Sequence, residues 1–249
     1  MNEIIKTLSE MLKEREVTTR EELERRAIRA VIKSKSIEAL NLDYNLIEEI
    51  VDSYIECPVS LSCIHFSEKV EIGGVSFYHL HTTKPTREQF EEAYYEYTIS
   101  KRLLDATDGL DKIINNFFSG YSVKEGVIKE YSNNKHKYAV FYSLIDDVGE
   151  DIQSHIEFAK EYKKYDGEYV IVTLTEKNPN PFIKFFKNHS EKIKAANIKI
   201  WVADVDKDCI DPFIGYPKDF KLIKGFKNPK LASIINSLWR VKVDDVVEV

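Results

Sequence analysis

Four groups of side chains in this sequence have the types and spacings that chemistry requires. Cys63-x-His65 and His79-x-His81 could supply zinc ligands from one hairpin. Asp204-x-Asp206-x-Asp208, followed by Asp211, offers hard oxygen donors suited to Mg²⁺. It is not an EF-hand loop, because Cys209 stands where that loop needs glycine. Lys218, Lys221, Lys224, Lys227 and Lys230 recur at every third position, interleaved with Tyr216, Phe220 and Phe226. Cations beside rings suit a nucleic-acid backbone and its stacked bases. Arg25, Arg26 and Arg29, with Arg20, Lys33 and Lys35, make a second basic group.

The elements that carry these groups follow from periodicity. Ile4, Ile5, Leu8, Met11 and Leu12 recur at helical spacing over residues 3–15. Thr19-x-x-Glu22 is a capping box that opens a helix to about Ser34. Ser36 caps a short helix through Leu42, and Asn45-x-x-Glu48 opens another to about Glu56, before Pro58. From Ser62 to His81 the period becomes two, and Gly73-Gly74 reads as a two-residue hairpin turn. That turn pairs Ile72 with Val75 and Val70 with Phe77, so His79 and His81 share the apolar face while Cys63 and His65 take the other. The register therefore separates the zinc candidates, and ordinary strand histidines are expected.

Thr86-x-x-Gln89 caps a long helix ending near Asp108-Gly109, and a short one follows to Phe118. Residues 120–132 read as a strand or a tight strand pair. Residues 138–145, 169–175 and 198–205 are continuous apolar runs separated by helices that begin at Asp147 and Asn180. Such runs are strands buried on both faces. The expected class is α/β, a mostly parallel sheet with helices on both faces over residues 85–249. A helical and β-hairpin region over residues 1–84 precedes it.

That first region also has the order of a winged helix-turn-helix across residues 20–56, with the hairpin as wing. Charge opposes the reading. The second helix holds Glu48, Glu49, Asp52 and Glu56 with no Lys or Arg, so phosphates would repel it. A packed helical cap is expected instead.

The order helix, strand or hairpin, strand, helix, strand, helix, strand over residues 86–205 resembles the core of the restriction-endonuclease-like, or PD-(D/E)XK, nuclease superfamily. The resemblance implies an acid on one strand and an Asp/Glu-x-Lys on the next, holding Mg²⁺ against the scissile phosphate. Glu130 stands where the first acid is expected. The following strand reads Ala139-Val140-Phe141-Tyr142-Ser143-Leu144, with neither carboxylate nor lysine. Glu161-x-Lys163 and Asp219-x-Lys221 match the motif literally but fall in a helix and a loop. The usual metal site is thus lost or moved, and Asp146 and Asp204 at strand ends, with Asp206, are candidate replacements.

Composition bounds the function. A chain of 249 residues with 43% apolar and 12% aromatic residues can bury a core. Its net charge of −6 requires any nucleic-acid contact to use a local basic surface. No run of apolar residues suits a membrane span, the N-terminus lacks a signal-peptide core, and the three cysteines form no C-x-x-C pair. A cytoplasmic location without a membrane is expected, and no cofactor is required beyond an optional Mg²⁺. The first reading is a nucleic-acid-associated protein with a nuclease-like domain that lacks Glu-x-Lys. It would bind DNA or RNA backbone through Lys218–Lys230 and Arg25, Arg26 and Arg29. One alternative is an active Mg²⁺-dependent nuclease or phosphotransferase using Glu130, Asp146 and Asp204. The other is a non-catalytic subunit that meets a protein partner or a second copy of itself.

Overall fold

The structure is a computed structural model that describes residues 2–34, 40, 42–55, 66, 68–80 and 83–226. The chain forms two compact units, meeting in sequence between Asp105 and Ala106. The expected helix from Ser36, and Cys57, Cys63, His65, His81, Lys227 and Lys230, lie outside the described residues.

In the first unit, α1 (Asn2–Met11) precedes a short strand, β1 (Val17–Thr19), and α2 (Arg20–Lys33). Thr19 caps α2 as expected, its hydroxyl accepting from the Glu22 N–H at 3.2 Å. α3 spans Tyr44–Ile55. Its start is held by Asp43, whose carboxylate accepts from the Asn45 N–H at 3.1 Å, so Asn45 is helical and does not cap. The hairpin of β2 (Glu68–Ile72) and β3 (Val75–His79) has the expected register, with Ile72 opposite Val75 and Val70 opposite Phe77. Gly73 and Gly74 have φ of 61° and 82°, the paired left-handed conformation of a type I′ turn. β1 pairs with the other side of β3, giving the order β1-β3-β2. Val17, Val75 and Phe77 pack on Ala93 of α4 (Arg87–Asp105) with Phe90 and Tyr97. Thr86 and Gln89 satisfy each other's backbone N–H groups at the start of α4, at 2.7 and 3.4 Å.

The second unit opens with α5 (Thr107–Phe117). The break between helices expected near Asp108-Gly109 falls at Ala106, between α4 and α5. Gly109 is helical, and an added Cβ would lie 2.3 Å from a Val205 methyl, so the glycine serves close packing. Residues 120–132 give a strand pair, β4 (Ser122–Lys124) and β5 (Lys129–Ser132). Then come β6 (Lys137–Tyr142), α6 (Ile145–Glu150), α7 (Ile152–Tyr162), β7 (Gly167–Leu174), α8 (Asn180–Ala195), β8 (Lys199–Asp204), β9 (Cys209–Ile214) and α9 (Phe220–Ile223). The single helix expected from Asp147 is two helices broken at Asp151 (φ −98°, ψ 15°), and Leu144 occupies the cap position. Asp147 is buried in the first turn instead.

The sheet order is β4-β5-β6-β7-β8-β9. β6, β7 and β8 run parallel at the centre, while the β4-β5-β6 pairings and the β8–β9 pairing are antiparallel. The fold is α/β, but its sheet is mixed rather than mostly parallel. The difference arises because a meander precedes the crossovers and β9 returns from β8 through a 3₁₀ turn at Val205–Lys207. Register places Tyr131, Tyr138, Val170, Lys199 and Trp201 on one face, where Phe117 and Phe118 meet Trp201 at 5.1 and 6.1 Å between ring centres. On the other face, His155 and Phe158 of α7 meet Tyr169 at 5.9 and 4.7 Å. Helices therefore cover both faces.

Candidate functional site

The acids expected to bind metal are spread over the sheet and engaged singly. Glu130 lies level with Ala139 and Tyr169, at the opposite end of the strands from Asp204. Its Oε2 accepts from the Tyr162 hydroxyl at 3.1 Å, and Lys137 Nζ stands 3.8 Å from Oε1. Asp204 is 2% exposed, caps the 3₁₀ turn by accepting from the Lys207 N–H at 3.2 Å, and is ion-paired with the Lys207 ammonium. Asp146 and Asp206 face solvent, and Asp208 pairs with Lys112 at 3.2 Å. Among the described residues, no group of three or more His, Cys, Asp or Glu side chains is arranged to hold a metal ion. Tight turns and caps account for this acidic run: the β8–β9 connection needs a cap at Asp204 and a left-handed residue at Asp208 (φ 54°).

The arginines of α2 are placed inward within their own unit. Arg25 donates to Ser100 Oγ at 3.0 Å and pairs with Glu96 of α4. Arg26 pairs with Glu22 at 2.8 Å, and Arg29 is buried. Arg20 is exposed, paired with Asp52 at 2.6 Å. Guanidinium groups consumed by carboxylates in a helix interface present little net field to phosphates. Arg25, Arg26 and Arg29, the α2 residues expected to meet nucleic acid, thus take part in packing within the first unit.

The lysine and aromatic segment is placed differently. Phe220 is 81% exposed and Tyr216 60%, and between and beyond them Lys218, Lys221 and Lys224 all face solvent. This is no loose tail. Phe226 packs on Phe117 and Trp201, at 4.8 and 5.4 Å between ring centres, and Leu222 is buried. Asp219 ties the middle. Its Oδ1 accepts from the Lys221 N–H at 2.9 Å to cap α9, and the Tyr121 hydroxyl donates to Oδ2 at 2.5 Å. The Asp219 N–H donates to the Tyr138 hydroxyl at 3.1 Å. Glu168, at the start of β7, accepts from the Lys218 N–H at 3.2 Å and stands 3.6 Å from its ammonium. Beside it Lys199 donates to Asn197 Oδ1 at 2.5 Å. Burial pushes the Lys199 ammonium below its usual range, and the Glu168 charge opposes that. Asp219, Tyr121, Tyr138 and Glu168 were not signalled by sequence; only the literal Asp219-x-Lys221 marked the place, for another reason.

The Tyr121 hydrogen bond holds the Asp219 carboxyl below the ordinary aspartate range. A depressed folded pKa contributes stability above the unfolded value, and that contribution is lost as pH falls through the folded value. Tyr121→Phe is therefore expected to move the Asp219 titration, followed by carboxyl ¹³C NMR, upward toward ordinary aspartate. An unmoved titration would show that Tyr121 does not set it.

Fold and site together define a two-unit α/β protein with an anchored, solvent-facing cationic and aromatic segment on its larger unit. Residues 96–228, more than half of the chain, match the family described as the C-terminal domain of a domain of unknown function, DUF6834, and the chain belongs to that family. Residues 3–94 match a second domain of unknown function, DUF6846. No curated protein matches the chain. Among the described residues, no helix is long and apolar enough to cross a membrane.

Proposed function

We propose that this protein binds single-stranded DNA or RNA backbone through residues 216–226, as a nuclease-like protein without the usual cleavage motif. The observation that carries the reading is the exposure of the Tyr216 and Phe220 rings beside three solvent-facing lysines on a segment anchored by Asp219. Water solvates an exposed ring poorly, whereas every base offers a face on which to stack. The lysines release counterions from the phosphates between those bases. A segment already tied at Asp219, Leu222 and Phe226 loses little further freedom on binding. The β4-β5-β6 meander, followed by helices and parallel β7, supports the nuclease-like resemblance. The centre of β6 offers no carboxylate or amine to a metal, which favours holding a strand over cutting it.

The test is fluorescence anisotropy with labelled oligonucleotides across a salt series. Affinity is expected to fall as salt rises, and the log–log slope to shrink by about 0.7 for each of Lys218, Lys221 and Lys224 changed to Ala. Phe220→Ala should weaken binding about five- to hundredfold at every salt concentration. Binding that ignores both ionic strength and Phe220, or no binding at low salt, would remove the proposal. Mg²⁺-dependent cleavage lost on changing Glu130, Asp146 or Asp204 to Ala would establish the enzymatic alternative in its place.

A further inference from the structure

Among the described residues, the small sheet of the first unit ends in a strand, β2, with no partner on its outer edge. All five residues of β2 are exposed, and among the described residues β2 pairs only with β3. Val70 and Ile72 are 36% and 49% exposed, on the same sheet face as buried Val75 and Phe77. Charged residues on an edge ordinarily discourage pairing with another strand. Here the order of the charges has a different consequence.

Hydrogen-bonded and non-bonded pairs alternate along an antiparallel ladder, and a two-residue type I′ turn is closed by a bonded pair. Ile72–Val75 closes the Gly73-Gly74 turn, so Ile72, Val70 and Glu68 spend their backbone groups on β3. Lys69 and Glu71 alternate with them and aim their N–H and C=O groups at the open edge. A second antiparallel strand can join only where its own outward residues meet these two. For two copies of β2 related by a two-fold axis, three registers satisfy the backbone. An axis at Lys69 sets lysine against lysine, and an axis at Glu71 sets glutamate against glutamate. An axis at Val70 sets Lys69 against Glu71 on both sides, and Val70 against Val70 on the apolar face. Only the last pairs opposite charges. Within one copy Lys69 and Glu71 already pair along the strand at 2.9 Å, and both are exposed.

We infer that two copies of this chain associate through β2, antiparallel about a two-fold axis at Val70, joining two three-stranded sheets into one continuous sheet. The contact is self-complementary, as a two-fold interface requires. Its small size makes the association reversible and concentration-dependent.

Sedimentation velocity of the full chain over roughly 1–500 μM tests this, with the fold of each variant checked by circular dichroism. The wild type is expected to shift from monomer to dimer across that range. Lys69→Glu or Glu71→Lys creates two like-charge pairs by symmetry, and should raise the dissociation constant at least about tenfold. The double exchange Lys69→Glu with Glu71→Lys rebuilds both opposite-charge pairs and should return the constant to within about threefold of wild type. Val70→Cys should form an intermolecular disulfide under mild oxidation that the wild-type chain does not, because facing residues of a non-bonded pair lie about 4.5 Å apart at Cα. A wild type that stays monomeric throughout overturns the inference. So do single exchanges that dimerise unchanged, a double exchange that fails to restore association, or a Val70→Cys chain that does not cross-link.

Discussion

Replacing Glu22 by alanine is expected to cost about 3–5 kcal/mol, the range for removing one partner from a buried ionic network. The Glu22 side chain has no solvent exposure. Its Oε1 accepts from Arg15 Nε and Nη2 at 2.9 and 2.8 Å and from Arg26 Nε at 2.8 Å, while Oε2 accepts from Thr18 Oγ1 at 3.1 Å. Alanine would leave two guanidinium groups facing each other across a dry space with one anion fewer. The Arg15 side chain is itself only 9% exposed, so water cannot readily replace the lost carboxylate. Glu22→Gln, which keeps the shape and one acceptor but removes the charge, should lie between wild type and alanine. Urea denaturation followed by circular dichroism measures both. A loss below about 1 kcal/mol for Glu22→Ala would put the network in the class of exposed ion pairs and refute its structural role.

The same network shows why charge counted along the sequence misleads. The α2 segment reads as a basic surface because its arginines outnumber its glutamates locally. The neutralising carboxylate of Glu96 lies on α4, 71 residues from Arg25, where no local pattern can reveal it. The segment from Tyr216 to Lys224 was legible because its spacing and its exposure coincide. Its anchors were not, since Tyr121 and Tyr138 stand 98 and 81 residues from Asp219.

Strand legibility divides on similar grounds. β6, β7 and β8 are buried on both faces and read as unbroken apolar runs. β9 does not, because Asp211 and Pro212 interrupt it, and the proline is tolerated because β9 lies at the edge of the sheet. β1 is three residues long and exists only by pairing with β3 some sixty residues later (Val17 opposite His79), too short to show a period. The hairpin turn and the Thr86–Gln89 box were legible because their causes lie within a few residues. The helix break at Asp151 was not, since the one nearby glycine, Gly149, lies inside α6 rather than at the break.

Phe118→Ala is expected to cost about 3–5 kcal/mol as a core cavity, and to weaken strand binding as well. Phe118 is 1% exposed. Its ring stacks on Tyr131 with centres 4.5 Å apart and meets Tyr138 at 5.1 Å, Tyr121 at 5.3 Å and Trp201 at 6.1 Å. Two of those neighbours, Tyr121 and Tyr138, are the residues that hold Asp219, so one ring supports both the core and the anchor. Removing it leaves the hydroxyls without fixed positions, and the segment bearing Phe220 then pays ordering entropy on binding that the wild type does not. Phe118→Leu fills most of the cavity and should recover stability before it recovers affinity, since leucine cannot stack against the tyrosine rings. Denaturant midpoints and oligonucleotide anisotropy on the same two variants separate the effects. Equal recovery of both by leucine would mean that Phe118 acts on the interface only through global stability. Full affinity in a destabilised but folded alanine variant would mean that Asp219 holds the segment without it.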